Sequence, residues 1–206
     1  RQSVQQDVHE AFLKVLDVLE RQTSILILDN IYTSPIKQTF YGTMKSVFNC
    51  QVCNYESCSF ESFSDLVIDP VSSVESSLTT SMAGRAHKYC VTCDNNTLHS
   101  IHSVITEQPK ITCIRVNRFK YINNEQQYCK NTSKIICNQF ISSTMMGSEL
   151  IGMICHKGPS THSGHYTALV KNNNIWYHCN DLSTDIVEYT QFSFTSEVYI
   201  LFYRRC

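Results

Sequence analysis

Two Cys-x-x-Cys elements, Cys50-Gln51-Val52-Cys53 and Cys90-Val91-Thr92-Cys93, constrain this 206-residue chain more than any other feature. A two-residue spacer lets a tight turn aim two sulfurs at one point, and two such turns supply the tetrahedral thiolate set of a closed structural zinc site. The motifs predict one Zn2+ per chain on Cys50, Cys53, Cys90 and Cys93, acting as a structural clamp with no open position for catalysis. With 36 residues between Cys53 and Cys90, the gap exceeds that of a compact zinc ribbon. It predicts knuckles at the tips of long hairpins with a small helical insertion between them. A redox dithiol and unrelated buried thiols are the competing readings, although redox motifs seldom come in such pairs. Cys58 lies near enough to enter the set.

The chain holds eleven cysteines, an odd number, and is far longer than small disulfide-dependent secreted scaffolds, which favours a reducing intracellular compartment, cytoplasmic or nuclear. Lys and Arg number 17 against 18 Asp and Glu, a formal charge of -1, so no broad basic face is available for nucleic acid. The longest apolar runs fall far short of the roughly 20 residues a bilayer helix needs.

From Val4 to Leu19, Val4, Val8, Phe12, Val15, Leu16 and Leu19 recur at helical spacing and predict an amphipathic helix with its apolar stripe on the core. Asp7 and Glu10, three apart, are then presented together as a carboxylate pair. Such a pair is equally a solvated acidic face near a helix N-terminus. Beyond Pro35, alternating segments at Thr39–Val47, Ser57–Ile68, His99–Thr106 and Ile111–Phe119 predict strands. Ser72-Ser73-Val74-Glu75 has the form of a capping box leading into a short helix, Ser76–Met82. The polar stretch past Tyr121 reads as a surface loop. Strands return at Ser133–Cys137, Glu149–His156, Tyr166–Lys171, Ile175–Cys179 and Glu197–Arg204. The fold class is α+β in one domain, strands dominating the second half.

A second constellation is Ser163-Gly164-His165-Tyr166 followed by Trp176-Tyr177-His178-Cys179-Asn180-Asp181. Asn172-Asn173-Asn174 forms a polar turn between two strand-like segments, so an antiparallel hairpin brings His165 close to Asn180 or Asp181. A His oriented by Asn or Asp is two-thirds of a Cys-His-Asn/Asp triad. A structural histidine is the competing reading.

These residues, in this order, resemble the ubiquitin-specific proteases, cysteine deubiquitinases of papain-like fold. Gln5 through Leu13 is similar to the family's Gln-box helix, the two knuckles to its zinc-bearing fingers, and Pro109–Phe119 to its central palm strand. Glu149–Gly158, then Gly164–Ala168, Trp176, Asn180-Asp181 and Tyr199–Arg204, resembles its His-box. The resemblance implies a partial thumb over 1–38, zinc-bearing fingers over 39–106 and an antiparallel palm with the His-box over 107–206. It implies hydrolysis of the isopeptide bond after the last glycine of ubiquitin, His165 as general base and Asn180 or Asp181 as its orienter. Gln5, Asp7, Glu10, Gly164 and Tyr166 fall at substrate-binding positions, the two carboxylates facing the arginine-bearing tail of ubiquitin. The family's Gly-Asn-Thr-Cys nucleophile element is absent from the sequence. The chain is therefore expected to be an N-terminally incomplete catalytic domain, its nucleophile upstream of Arg1, inert alone. Two rivals remain: a deconjugase of a ubiquitin-like modifier, and a noncatalytic ubiquitin-binding scaffold.

Overall fold

The computed structural model describes residues 7–28, 31–122, 127–160 and 163–206. Asp7 is where the first helix starts: its backbone is extended and its carboxylate accepts the His9 N–H at 2.8 Å, so α1 spans Val8–Thr23. Val4 lies outside the described residues. The helix outruns Leu19 by a turn, where the Thr23 and Ser24 hydroxyls bond back to the carbonyls of Leu19 and Glu20. Its apolar stripe is covered only in part. Val8 and Phe12 pack on the palm and Leu16 is buried, whereas Val15 and Leu19 are exposed, contrary to expectation.

A small antiparallel ribbon, β1 (Ile25–Leu28) and β2 (Ile31–Thr33), leads to α2 (Pro35–Phe40). Ser34 caps α2 by accepting from the Lys37 N–H, with proline at the favoured first position. Thr39 and Phe40 thus belong to a helix rather than to the expected strand. That strand begins after them as β3 (Gly42–Cys50). The single strand expected over Ser57–Ile68 is broken at Ser64 into β4 (Glu56–Phe63) and β5 (Asp65–Ile68), which join different sheets. The predicted capping box exists one residue later, reciprocal between Ser73 and Ser76, and opens α3 (Val74–Ser81). There follow β6 (Ala83–Cys90) and β7 (Asn95–Glu107). The antiparallel order β4-β3-β7-β6 forms the fingers sheet.

The palm sheet joins β5 to strands from β8 (Ile111–Val116) onward. The polar stretch expected as a loop instead contains a hairpin of β9 (Phe119–Ile122) and β10 (Gln127–Lys130). Pairing with β9 orders the end of that stretch, and β9 is itself anchored by the Phe119 ring, which meets Tyr199 and His156 edge-on with centroids 5.5 and 5.6 Å apart. Short strands β11 (Ile135–Ile136) and β12 (Phe140–Ile141) precede the long β13 (Ser148–Ser160), β14 (Ser163–Asn172) and β15 (Ile175–Asn180). Then come β16 (Ser183–Val187), β17 (Phe194–Thr195) and β18 (Val198–Arg205). The palm order is β16-β15-β14-β13-β18-β8-β5, with β12 on β13. All its neighbours are antiparallel except β5 and β8, which run parallel. Strand β18 therefore sits mid-sheet, and its run Val198–Leu201 is buried throughout.

One face of the palm packs Ile68, Ile114, Leu150, Met153 and Leu201 against Val74 and Leu78 of α3. The other meets α1 through Cys113, Tyr199 and Ile200. Each such large aliphatic side chain contributes about 1.5–3 kcal/mol by leaving water. Arg118 is buried in this core. Its guanidinium donates to the carbonyls of Val198 (3.0 Å), Asn131 (3.2 Å), Thr195 (3.4 Å) and Ser133, tying three strand ends that share no ladder.

Candidate active site and thiol cluster

The expected hairpin is present. Strands β14 and β15 pair from Ala168–Cys179 to Asn172–Ile175 around a two-residue turn, Asn173-Asn174. Both turn residues have positive φ, 49° and 64°, the conformation that matches the right-handed twist of the flanking strands and that asparagine tolerates. Continuing the alternation past Ala168–Cys179 puts His165 and Asn180 on one face as diagonal neighbours. The result is a 2.6 Å hydrogen bond between His165 Nε2 and Asn180 Oδ1. Asp181 Oδ2 is 3.9 Å from the same nitrogen and largely exposed, so Asn180 is the direct partner. A carboxamide oxygen only accepts, so Nε2 carries the hydrogen and the Nδ1 lone pair is left for a proton from elsewhere.

Behind the imidazole, backbone closes on backbone. Gly164 has φ +154°, and a Cβ there would lie 2.5 Å from both His156 Nε2 and the Lys157 carbonyl oxygen. Gly158 packs reciprocally, since a Cβ on it would lie 2.5 Å from Gly164 Cα. Only glycines fit this crossing of β13 and β14. The Tyr166 ring lies 4.6 Å from that of His156, and its hydroxyl is buried without a partner among the described residues.

Asp7 and Glu10 have separate partners rather than forming one pair. Asp7 is the half-buried cap of α1 and also accepts from the Tyr199 hydroxyl at 2.9 Å. Glu10 is exposed and pairs with Lys14 one turn on, at 2.7 Å. The difference arises because Asp7 stands just outside the helix, where its side chain turns back over the first N–H groups. Gln5 lies outside the described residues. His9 was overlooked in the sequence: its Nε2 is 3.1 Å from Asp65, which Arg115 also approaches at 3.3 Å. Burial pushes the Asp65 carboxyl up, but His9 and Arg115 together hold it below its ordinary range.

No cysteine sulfur is a hydrogen-bond partner of His165 among the described residues. Cys113 and Cys155 are buried in strands and Cys137 is buried just after β11, and burial pushes all three thiols up, Cys137 and Cys155 to about 12. They are packing residues at neutral pH, as their alternation with apolar neighbours suggests.

The sulfurs of Cys50, Cys53, Cys90 and Cys93 all lie within 4.8 Å of one another. Cys50–Cys93 is 3.9 Å and Cys53–Cys90 is 3.5 Å. A tetrahedron with metal–sulfur bonds of about 2.3 Å has edges of roughly 3.8 Å, so the set fits one zinc-sized ion. Each knuckle closes on a left-handed residue, Asn54 (φ 60°) and Asp94 (φ 49°), which turns the chain back into its hairpin. The Thr97 hydroxyl beside Cys50, with the Cys53 N–H, lowers that thiol to about 5, while hydrogen bonding with Cys53 and then burial raise Cys93 to about 12. Four thiols that converge on one point are not two independent redox dithiols. Cys58, on β4 and exposed, stands outside the cluster.

The chain matches the sequence model described as "Ubiquitin carboxyl-terminal hydrolase" over residues 1–203. Arabidopsis thaliana ubiquitin carboxyl-terminal hydrolase 23 is 25% identical over 98% of this chain and 26% of its own length. Ubiquitin carboxyl-terminal hydrolase 25 of the same plant is 27% identical over 98% of this chain and 33% of its own. Among solved structures, a chain of the SAGA Ubp8/Sgf11/Sus1/Sgf73 DUB module bound to ubiquitin aldehyde superposes with TM-score 0.80 at 20% identity, covering 98% of this chain and 49% of that one. A chain of that module bound to monoubiquitin gives 0.83 at 21%, with 98% and 48% covered. The chain thus spans about a quarter to a third of these plant relatives and about half of the solved chains.

Proposed function

The chain belongs to the ubiquitin carboxyl-terminal hydrolase family, and we propose that it forms the larger part of a thiol-dependent deubiquitinase catalytic domain. In this reading residues 1–38 are the remaining thumb, 39–106 carry the fingers and 107–206 the palm, with β5 and α3 of the middle stretch packed into the palm. The substrate is a ubiquitin conjugate, cut after the C-terminal glycine. The observation that carries the reading is the 2.6 Å bond from His165 Nε2 to Asn180. It fixes the ring tautomer, so Nδ1 serves as general base.

The steps follow from that geometry. Nδ1 takes the proton of a cysteine thiol, and the thiolate attacks the glycine carbonyl carbon. The imidazolium then protonates the departing lysine amine, leaving a thioester. His165 next takes a proton from water, whose oxygen attacks the thioester, and the proton returns to the thiolate as it leaves. Asn180 holds the ring throughout at Nε2, and Asp181 stands 3.9 Å from the same nitrogen. The reading expects the thiol from outside the described residues, in the segment preceding Arg1 in the natural protein. Gly164 and Tyr166 back the His165 segment, Asp7 and Glu10 are the carboxylates offered to the basic tail of ubiquitin, and Gln5, assigned with them from the sequence, lies outside the described residues. Zn2+ on the four knuckle thiolates is the proposed cofactor, one per chain, holding the two fingers hairpins together. Such a thiol set belongs in a reducing cytoplasm or nucleus. No helix among the described residues is long and apolar enough to cross a membrane.

The test uses the natural protein with its preceding segment, a fluorogenic ubiquitin amide and ubiquitin carrying a thiol-reactive C-terminus. Turnover lost in His165→Ala, with the probe bonded to a cysteine preceding Arg1, supports the reading. A protein that binds ubiquitin, turns over nothing and loses nothing in His165→Ala is a scaffold. Turnover of a ubiquitin-like modifier alone moves the substrate class.

A further inference from the structure

Lys130, half-buried, and His156, buried, form a pair that neither the sequence motifs nor the proposed chemistry uses. Lys130 ends β10, and its ammonium donates to the carbonyl oxygens of His156 at 2.6 Å and Gly158 at 2.9 Å. It also lies 3.2 Å from His156 Nδ1. An ammonium has three hydrogens and no lone pair, so all three are placed and Nδ1 must be the acceptor. His156 is then neutral, with its hydrogen on Nε2. A charged ring would set two cationic donors against each other.

His156 is fully buried, and its Nε2 has no hydrogen-bond partner among the described residues. That nitrogen instead lies against Gly164, where a Cβ would come within 2.5 Å of it. The ring is wedged there by Phe119 and Tyr166, with centroids at 5.6 and 4.6 Å. Two contacts thus run from Lys130 to the residue preceding His165: through the His156 ring to Gly164, and through the Gly158 carbonyl to the Gly158–Gly164 crossing. The ladder between β13 and β14 is irregular at this place, its register shifting between Lys157 and Ser160, so backbone pairing alone fixes this stretch less well than it fixes the rest of the hairpin.

We propose that Lys130 is a positioning residue, which sets the tautomer of His156 and the Gly158–Gly164 crossing and thereby aims the His165 ring at Asn180. The proposal rests on His165 being the general base, but its structural half stands apart from any turnover. Burial and the adjacent Lys130 charge lower the tendency of His156 to protonate, and Asp7 opposes them. Around Lys130 itself, burial and Arg118 favour loss of the proton, whereas Glu197 and the Cys155 thiol oppose it. These are the charged groups that face the pair from α1, β13, the segment after β8 and the start of β18.

The experiment is histidine NMR on the natural protein with labelled imidazoles. Wild-type His156 should be neutral and Nε2–H at pH about 6, where an ordinary histidine is largely charged. Lys130→Met should displace the His165 Cε1–H cross-peak by more than its linewidth, while Lys171→Met, a control in the same sheet, leaves it in place. In the same protein, Lys130→Met should lower kcat about ten- to a hundredfold with KM nearly unchanged, as a small misplacement of a catalytic group does. A wild-type His156 that is charged or Nδ1–H overturns the proposal even if Lys130→Met does not fold. So does an unmoved His165 cross-peak in folded Lys130→Met. Absence of ubiquitin-amide turnover in the wild-type protein would sink the proposed function instead, leaving the NMR result to decide the positioning.

Discussion

Replacing Arg118 by methionine removes the guanidinium and keeps most of the apolar stem. Four carbonyls lose a donor: Val198, whose bond is fully buried, and Asn131, Ser133 and Thr195, whose bonds water can partly reach. Allowing about 1–3 kcal/mol for the buried acceptor and about 0.5–1.5 kcal/mol for each of the others gives roughly 2.5–7.5 kcal/mol of lost stability. Against this, the variant no longer desolvates a cation, which costs several kcal/mol in the wild type. That burial also draws the Arg118 pKa down to about 10. The expected net loss is about 2–4 kcal/mol, within the range for breaking a buried network. With a urea m value of about 3 kcal/mol/M for a chain of this size, the unfolding midpoint should fall by about 1 M. Coincident fluorescence and circular dichroism transitions establish that one midpoint is meaningful. Arg118→Lys should fall between, because an ammonium can satisfy some of these carbonyls but lacks the planar fork. A midpoint for Arg118→Met within about 0.2 M of wild type, at unchanged m, would falsify the assignment of Arg118 as the tie between these strand ends.

Purified protein refolded with zinc should hold one equivalent; Cys90→Ser should lose metal and unfold at lower temperature, and Cys58→Ser should do neither, as metal analysis and calorimetry will report. Hydrogen bonding by Lys171, and then by Arg204, holds the Glu149 carboxyl below its ordinary range. A depressed folded-state pKa contributes stability that is full above the unfolded value near 4.5 and is lost as pH falls through the folded value. Wild type should therefore lose more stability than Glu149→Gln on acidification below about pH 4.5, and equal slopes in urea titrations across that range would remove Glu149 from the acid response. Asn173→Gly should preserve or slightly raise thermal stability at this left-handed position, whereas Asn173→Val should cost about 1–2 kcal/mol. Equal melting temperatures for the two variants would contradict the left-handed turn.

The parts of this chain legible in sequence were those where chemistry fixes geometry over a few residues. The two knuckles converge because a two-residue spacer leaves the sulfurs little choice, and His165 meets Asn180 because three asparagines can turn only a tight hairpin. What was missed depends on contacts across long separations. Lys130 and His156 are 26 positions apart, and nothing in the polar run around Lys130 distinguishes an ammonium held by carbonyls from a solvated one. Arg118 reaches carbonyls up to 80 positions away, which no periodicity records. The three-residue spacing of Asp7 and Glu10 suggests one helical face, whereas Asp7 caps the helix, a position its residue type favours. The break at Ser64 was invisible because both halves alternate as strands, and only their partners tell them apart.

Strand β18 lies between β13 and β8, with Val198–Leu201 fully buried, and this has a consequence for synthesis on the ribosome. Strand β8 leaves the exit tunnel roughly 80 residues before β18, a delay of about 4–16 s at ordinary elongation rates. During that time β8 has only β5 beside it and β13 only β12 and β14, so each presents an unpaired row of amides and carbonyls to the cell. The fingers hairpins close locally and need not wait. The palm must wait, and a nascent chain stalled after Thr195 would carry two open edges of the same strand direction, one for each side of the missing antiparallel strand, suited to capture by a β18 from another copy.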